Sequence, residues 1–136
     1  MTWECIYIVD IPPVTKKNSQ QIVTNRVTGR PFVIQSAAYK RYEEAAGAFL
    51  APRPPKPINE PCNVRYRFYT ATRRRVDLAN LISAMDDVLV HWKILADDNR
   101  DIIAAHDGCR VYCDKDDPRT EILITPIGET YRTWKE

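Results

Sequence analysis

Asp77 follows the basic run Arg73-Arg74-Arg75 after a single valine, and the pair Asp97-Asp98 comes after the next helix-length segment. A hard divalent cation such as Mg²⁺ takes a few oxygen ligands and keeps several waters. Two or three carboxylates can hold one beside a phosphate, polarise that phosphate and lower the pKa of an attacking water. Neighbouring arginines offset phosphate repulsion and dock a backbone phosphate in bidentate fashion. Taken singly, each group has a plainer role. Asp77 is placed to cap a helix, Asp97-Asp98-Asn99 to form a solvated turn, and the arginines to form a solvated charge run. The combination is what points to phosphate chemistry.

A helix must separate the two groups. Leu78, Leu81, Ile82, Met85, Val88, Leu89 and Trp92 recur at three- or four-residue steps along one face, with Asp77 at the cap position. From Leu78 to Trp92 such a helix spans ~22 Å at 1.5 Å rise per residue. Asp77 and Asp98 therefore meet only if the following strand runs back beside the helix start, or if a second chain supplies one of them.

Upstream, residues 3–11 are β-branched and aromatic and stop at Pro12-Pro13, which predicts a strand followed by a stiff loop. That loop is polar and basic and holds Lys16, Lys17 and Asn18. Residues 21–24 and 31–34 flank Asn25–Arg30 as a hairpin would. Ser36 is expected to cap a helix reaching about Leu50, with Tyr39, Tyr42, Ala46, Phe49 and Leu50 on one face. The proline-rich stretch 52–57 is read as a stiff connection inside one domain, because the ~50 residues before it could scarcely bury a core alone. A strand over 62–70 precedes the arginines, and strands over about 102–113 and 120–125 close the chain across a turn at 114–118. The order lacks regular βαβ alternation, so the expected class is α+β: a mixed β-sheet with two main helices. Residues 1–126 form a single domain on this reading, and 127–136 a tail without a pattern.

Composition narrows the setting. With 136 residues, 44% hydrophobic and 28% charged, the chain has globular values for one domain. A net charge of +2 does not by itself announce nucleic acid; the clustering of Arg65/Arg67, Lys16-Lys17 and Arg73–Arg75 matters more. No run of 18 apolar residues offers a membrane span, and the first residues lack the basic and apolar regions of a signal peptide. The expected compartment is the cytoplasm, where four cysteines are expected as thiols. Cys109 and Cys113 on a single strand would stand ~13 Å apart, too far to share a zinc ion.

Arg73-Arg74-Arg75-Val76-Asp77-Leu78-Ala79-Asn80-Leu81, then Asp87-Val88-Leu89, then Leu95-Ala96-Asp97-Asp98, resembles the core signature of the RusA-type Holliday junction resolvases, in a variant of the kind carried by phages and prophages. Pro12-Pro13 with Lys17-Asn18-Ser19, and Ser36 with Tyr39-Lys40 and Tyr42, are similar to family members too, so the resemblance covers about residues 5–125. It implies a homodimer that binds branched DNA, four-way junctions above all, and nicks two strands symmetrically with Mg²⁺ or Mn²⁺. By position, Asp77 and Asp98 match the catalytic, metal-holding carboxylates, with Asp97 and Asn80 at accessory places and Asp97 counted with the catalytic group. Arg73, Arg74, Arg75, Lys16, Lys17 and Asn18 are the expected DNA contacts.

Two positions depart from the family pattern. Ala79 stands where an aspartate is usual and Ser83 where a lysine is usual. A site with one ligand fewer binds metal more weakly, and a missing lysine removes a phosphate or transition-state interaction. Asp101, His106 and Asp107 are the candidate substitutes, Asp107 having the best ligand chemistry, although Asp107-Gly108 also suits a strand bulge. Asp86 and Asp87 point away from Asp77 along the helix, and Asp87 is expected to cap or pair. Three readings follow: an active resolvase, a weakened or inactive branched-DNA-binding protein on the same scaffold, and a protein-interaction module whose basic run is merely solvated.

Overall fold

The computed structural model describes residues 3–16, 20–35 and 37–128. Its centre is β4 (Cys62–Thr70), where Cys62, Val64, Tyr66 and Phe68 are buried while Asn63, Arg65 and Arg67 are half-buried. Strict alternation over that length is what a strand with one covered face requires. β7 (Arg119–Pro126) pairs antiparallel with β4, from Tyr69 opposite Arg119 to Cys62 opposite Pro126. β1 (Cys5–Val9) adds antiparallel to the outer side of β7. On the other side of β4 lie β5 (Ile103–Ala105) and β6 (Arg110–Cys113), both parallel to it. The result is a five-stranded mixed sheet in the order β1-β7-β4-β5, with β6 also on β4.

The single strand expected over 102–113 is thus two. Between Asn63 and Arg67 of β4, paired with Ala105 and Arg110, the edge chain carries one residue more than its partner. His106–Cys109 absorbs it in a turn where Gly108 adopts φ +88°. A side chain at Gly108 would also press on the Arg65 stem.

β4, α2 (Leu78–His91) and β5 form one βαβ unit, and β6 continues parallel to β4, beside the antiparallel pairs of β7 with β4 and β1. The helix buries Leu81, Ala84, Met85, Val88 and Leu89, close to the face expected from spacing, with Leu78, Ile82 and Trp92 packed at its margin. Each large apolar side chain so buried contributes ~1.5–3 kcal/mol. α2 ends in a left-handed residue, Lys93 at φ 65°. The Lys93 N–H donates to Val90 O and the Ile94 N–H to Leu89 O, which satisfies the last carbonyls and turns buried Ile94 inward.

α1 (Ala37–Ala46) covers the same sheet face with Tyr39, Tyr42 and Ala46. It stops short of the expected Leu50 and gives way to a 3-10 turn at Gly47–Phe49. The Trp92 indole packs at this junction: its N–H donates to Glu43 O at 2.7 Å, and its ring lies where a Cβ on residue 47 would be. Ser36, the expected cap, lies outside the described residues.

The hairpin forms as expected. β2 (Gln20–Thr24) and β3 (Pro31–Gln35) pair antiparallel as a separate two-stranded sheet. In its turn, Asn25 Oδ1 accepts the N–H groups of Val27 and Thr28, and Gly29 supplies φ +72°. Among the described residues, no helix is long and apolar enough to cross a membrane. The mixed sheet with two helices is the α+β class expected from the element order.

Candidate active site

The βαβ connection decides where the candidate residues go. Arg73–Asp77 leaves the C-terminal end of β4, and α2 runs back along the sheet. The chain after α2 therefore sits at the N-terminal end of β4, where Ala96 N–H donates to Ile58 O and Cys62 N–H to Ile102 O. Asp77 and Asp97–Asp98 lie at opposite ends of a helix ~21 Å long. The following strands do run back toward Asp77, but the acidic turn comes before them. One chain does not bring the two groups together.

Asp77 occupies the N-cap position of α2 in an extended conformation (φ −87°, ψ 124°), yet its side chain makes no capping hydrogen bond. The exposed carboxylate instead accepts from Asn80 Nδ2 at 3.2 Å, a residue one turn into the helix. A carboxylate held by a neutral amide, with lone pairs left toward solvent, is oriented for an external cation. Arg73, Arg74 and Arg75 are exposed, and none of their guanidinium groups has an ion pair or hydrogen bond among the described residues. Ala79 and Ser83, the two departures, are exposed on the same helix.

At the far end, Asp97 is engaged in its own turn. Its Oδ1 accepts the Asp98 N–H at 2.7 Å and its Oδ2 the Asn99 amide at 3.4 Å. Asn99 in turn receives the Asp101 N–H on its side chain and the Ile102 and Ile103 N–H groups on its carbonyl. Asp98 lies exposed beside this scaffold. Burial, hydrogen bonding with Asp97 and the negative charges of Asp87 and Asp97 together raise its pKa. A cation arriving there would relieve that repulsion.

Asp86 and Asp87 face different partners. Asp87 forms an ion pair with Lys16, so this expected DNA contact is already engaged by α2. Lys17 and Asn18 lie outside the described residues. Asp86 Oδ1 accepts the Tyr66 hydroxyl at 2.7 Å, and Asp86 Oδ2 meets His106 Nε2 at 3.1 Å. His106 Nδ1 faces Val64 O at 2.6 Å. Both ring nitrogens thus face acceptors, which only the imidazolium satisfies as a double donor. Burial opposes that charge, but Asp86, Cys109 and Val64 outweigh it and lift the pKa to about 10. A doubly engaged imidazolium has no lone pair for a metal, so His106 is not the substitute ligand.

Asp107 stands on the turn between β5 and β6. Its N–H donates to Asn63 Oδ1 at 2.7 Å, and Asn63 Nδ2 donates back to its carbonyl at 3.2 Å. Asn63 alternates with the residues of β4 that are buried toward α2, so Asp107 is tied to a residue of the sheet's other face while His106 of the same turn reaches α2. Among the described residues no three His, Cys, Asp or Glu side chains converge on a point that could hold a metal. Mg²⁺ needs only one or two carboxylates when waters and a phosphate complete its shell, so the donor chemistry at Asp77 and at Asp98 fits a hard cation.

The family model of endodeoxyribonuclease RusA matches residues 10–125. The chain belongs to the RusA family. RusA membership implies an endodeoxyribonuclease, and the matched segment contains Arg73–Asn80, Asp97 and Asp98. None of the curated proteins matches the chain.

Sequence reasoning passed over the His106–Asp86–Tyr66 network, since a lone histidine carries no signal of its partners. Of the Lys16–Asp87 pair it had one half: Asp87 as a residue that would pair. The partner is 71 positions away and became visible only in the fold.

Proposed function

We propose that this chain is a divalent-metal-dependent endonuclease that resolves four-way DNA junctions by paired hydrolysis of two phosphodiesters, in recombination or repair. The observation that carries this reading is the Asp77 carboxylate: exposed at a helix start without capping it, oriented by Asn80, and flanked by three arginines without partners among the described residues. A Mg²⁺ or Mn²⁺ ion, when bound, would supply an activated water and neutralise charge on the phosphate. Asp77 and Asp98 would hold it, Asp97 keeps Asp98 in place, and Asn80 fixes the Asp77 rotamer. Arg73–Arg75 grip the DNA backbone and offset its charge. Lys16 reaches DNA only by leaving Asp87, so the arginines carry most of the grip, with Lys17 and Asn18 as further contacts. Asp107 remains a secondary ligand candidate on chemistry alone.

Separation of Asp77 from Asp98 along α2 supports a homodimeric enzyme in which each site takes Asp77 from one chain and Asp98 from the other. A two-fold arrangement also matches two symmetric nicks. Cleavage of a synthetic four-way junction in Mg²⁺ and in Mn²⁺ tests the activity. Asp77→Asn should abolish nicking and leave junction binding intact; cutting at the wild-type rate would show the site to be wrong. Inactive Asp77→Asn and Asp98→Asn chains, mixed and allowed to exchange, should regain one nicking site per dimer. No regain places both carboxylates' work within single chains.

Ala79 and Ser83 favour a second reading, a branched-DNA-binding protein with weakened or lost cleavage. Binding without any nicking in either metal would select it.

A further inference from the structure

Beside Asp77 lies a groove of about 330 Å³ between the Pro12–Thr15 loop and the Thr70–Val76 loop. Pro12, Pro13, Val14, Val76 and Leu81 of α2 supply its apolar lining. Arg74 and Arg75, both exposed, line it too. The groove is preformed rather than loosely gaping. The Thr70 hydroxyl, with one proton to give, lies 2.8 Å from Thr72 O and 3.2 Å from Tyr112 O and donates to one or the other, and Thr72 Oγ1 accepts the Arg74 N–H at 3.3 Å. These bonds hold the arginine-bearing loop against the end of β4 before any ligand arrives.

Two features must be matched by one occupant. Arg74 and Arg75 offer guanidinium groups without partners among the described residues, which calls for an anion. Most of the remaining lining is apolar, which calls for a flat or apolar body that loses little on leaving water. A free phosphate would leave the apolar lining wet, and an apolar peptide would leave the arginines unmatched. A nucleotide carries both parts in one unit.

We propose that this groove takes one unpaired DNA nucleotide, its base against the proline–valine lining and its phosphate on Arg74 and Arg75. The inference rests on the nuclease reading above and adds to it a base-receiving subsite next to the reacting phosphate, because Val76 adjoins Asp77. Contact with a base face tolerates any sequence, and extrusion costs least where stacking is already interrupted, as at a branch point. The groove would thus favour branched over continuous duplex through local unstacking, independently of how the two chains of a dimer are arranged.

The test uses four-way junctions carrying 2-aminopurine at single positions around the cut, with the full chain at concentrations that saturate a band shift and in Ca²⁺ to prevent cleavage. One position next to the scissile phosphate should brighten severalfold on binding. Ala71→Leu, which narrows the groove, and Val76→Thr, which keeps its shape but makes the lining more polar, should each remove at least half of that rise at saturation. Melting curves followed by circular dichroism establish that each variant is folded, and Val76→Thr keeps the test informative if Ala71→Leu is not. A junction that is bound and cut with no position brightening overturns the groove proposal and leaves the nuclease reading intact. Folded variants that both brighten like the wild type overturn it too. A wild-type chain that neither prefers nor cuts the junction sinks both readings.

Discussion

Two charged clusters that contain arginine stand at the same end of the sheet and have opposite fates. Arg119, at the start of β7, donates to Asp114 at 3.0 Å and Glu121 at 3.1 Å, lies 3.5 Å from Asp117, and stacks over the Tyr69 ring at 3.8 Å. Tyr69 in turn stacks on Tyr112. Arg73, Arg74 and Arg75, one loop away after β4, are exposed and have no carboxylate partner among the described residues. The first cluster closes the end of the sheet; the second faces outward. The presence of arginine cannot separate them, since both have it. What differs is whether the fold brings anions to them, and only the open cluster is in a position to meet an anion from outside.

The contrast can be broken or sharpened by substitution. The largest expected effect is at the carboxylate beside the open cluster: Asp77→Asn should lower the nicking rate by ~100-fold or more, the scale for removing one transition-state electrostatic interaction. Nicking of a labelled junction in single turnover reads it. Next, replacing Arg73, Arg74 and Arg75 together by Gln should flatten the dependence of log affinity on log salt by ~2–3, at about 0.9 for each phosphate no longer neutralised. Arg119→Gln should leave that slope unchanged and lower thermal stability instead. Equal slopes for both variants would erase the distinction between the clusters. Ala79→Asp should then raise apparent Mg²⁺ affinity in the cleavage assay by ~10-fold, if the site is short of one ligand. No gain would mean that another residue already fills the place.

The smallest effect concerns pH. The His106 pKa is raised from 6.5 to about 10 in the folded chain, with Asp86, Tyr66 and Cys109 around it. A raised pKa means the folded state holds the proton more tightly. Its stabilising contribution is therefore complete below about pH 6.5 and is lost as pH rises toward about 10. The melting temperature should decline over that window, and His106→Gln should flatten the decline. An unchanged pH profile in the variant would show that the network contributes no proton linkage.

Much of the candidate site was legible as types and spacing. Arg73–Asn80 and Asp97–Asp98 are contiguous in sequence, so their chemistry and their tie to one helix could be read without the fold. The α2 face was legible for the same local reason: a 3.6-residue period repeats what the helix does with its side chains. Asp77 as helix start was right in position, but its lack of a capping bond was not readable, because a carboxylate there can turn either to the backbone or to Asn80. The end of α1 was misjudged, and the residue packed against that junction, Trp92, lies at the C-cap of another helix, 45 positions after Gly47. The split between β5 and β6 escaped notice because Ile102–Cys113 has strand-like residues on both sides of Gly108, and the extra residue is defined only against the register of β4.

The amino-acid sequence by itself determined which groups are present for phosphate chemistry, which helix lies between them, and the RusA signature they compose. These are local properties, set by residue type and by spacing along one element. Tertiary structure decided the rest. It placed Asp77 and Asp98 at opposite ends of α2 because a βαβ crossover returns the chain to the far end of the sheet. It gave Lys16 to Asp87, His106 to Asp86 and Arg119 to its carboxylates, and left Arg73–Arg75 open. Whether a charge is neutralised depends on what packs within a few ångströms of it, and that distance is set by contacts between residues far apart in the chain.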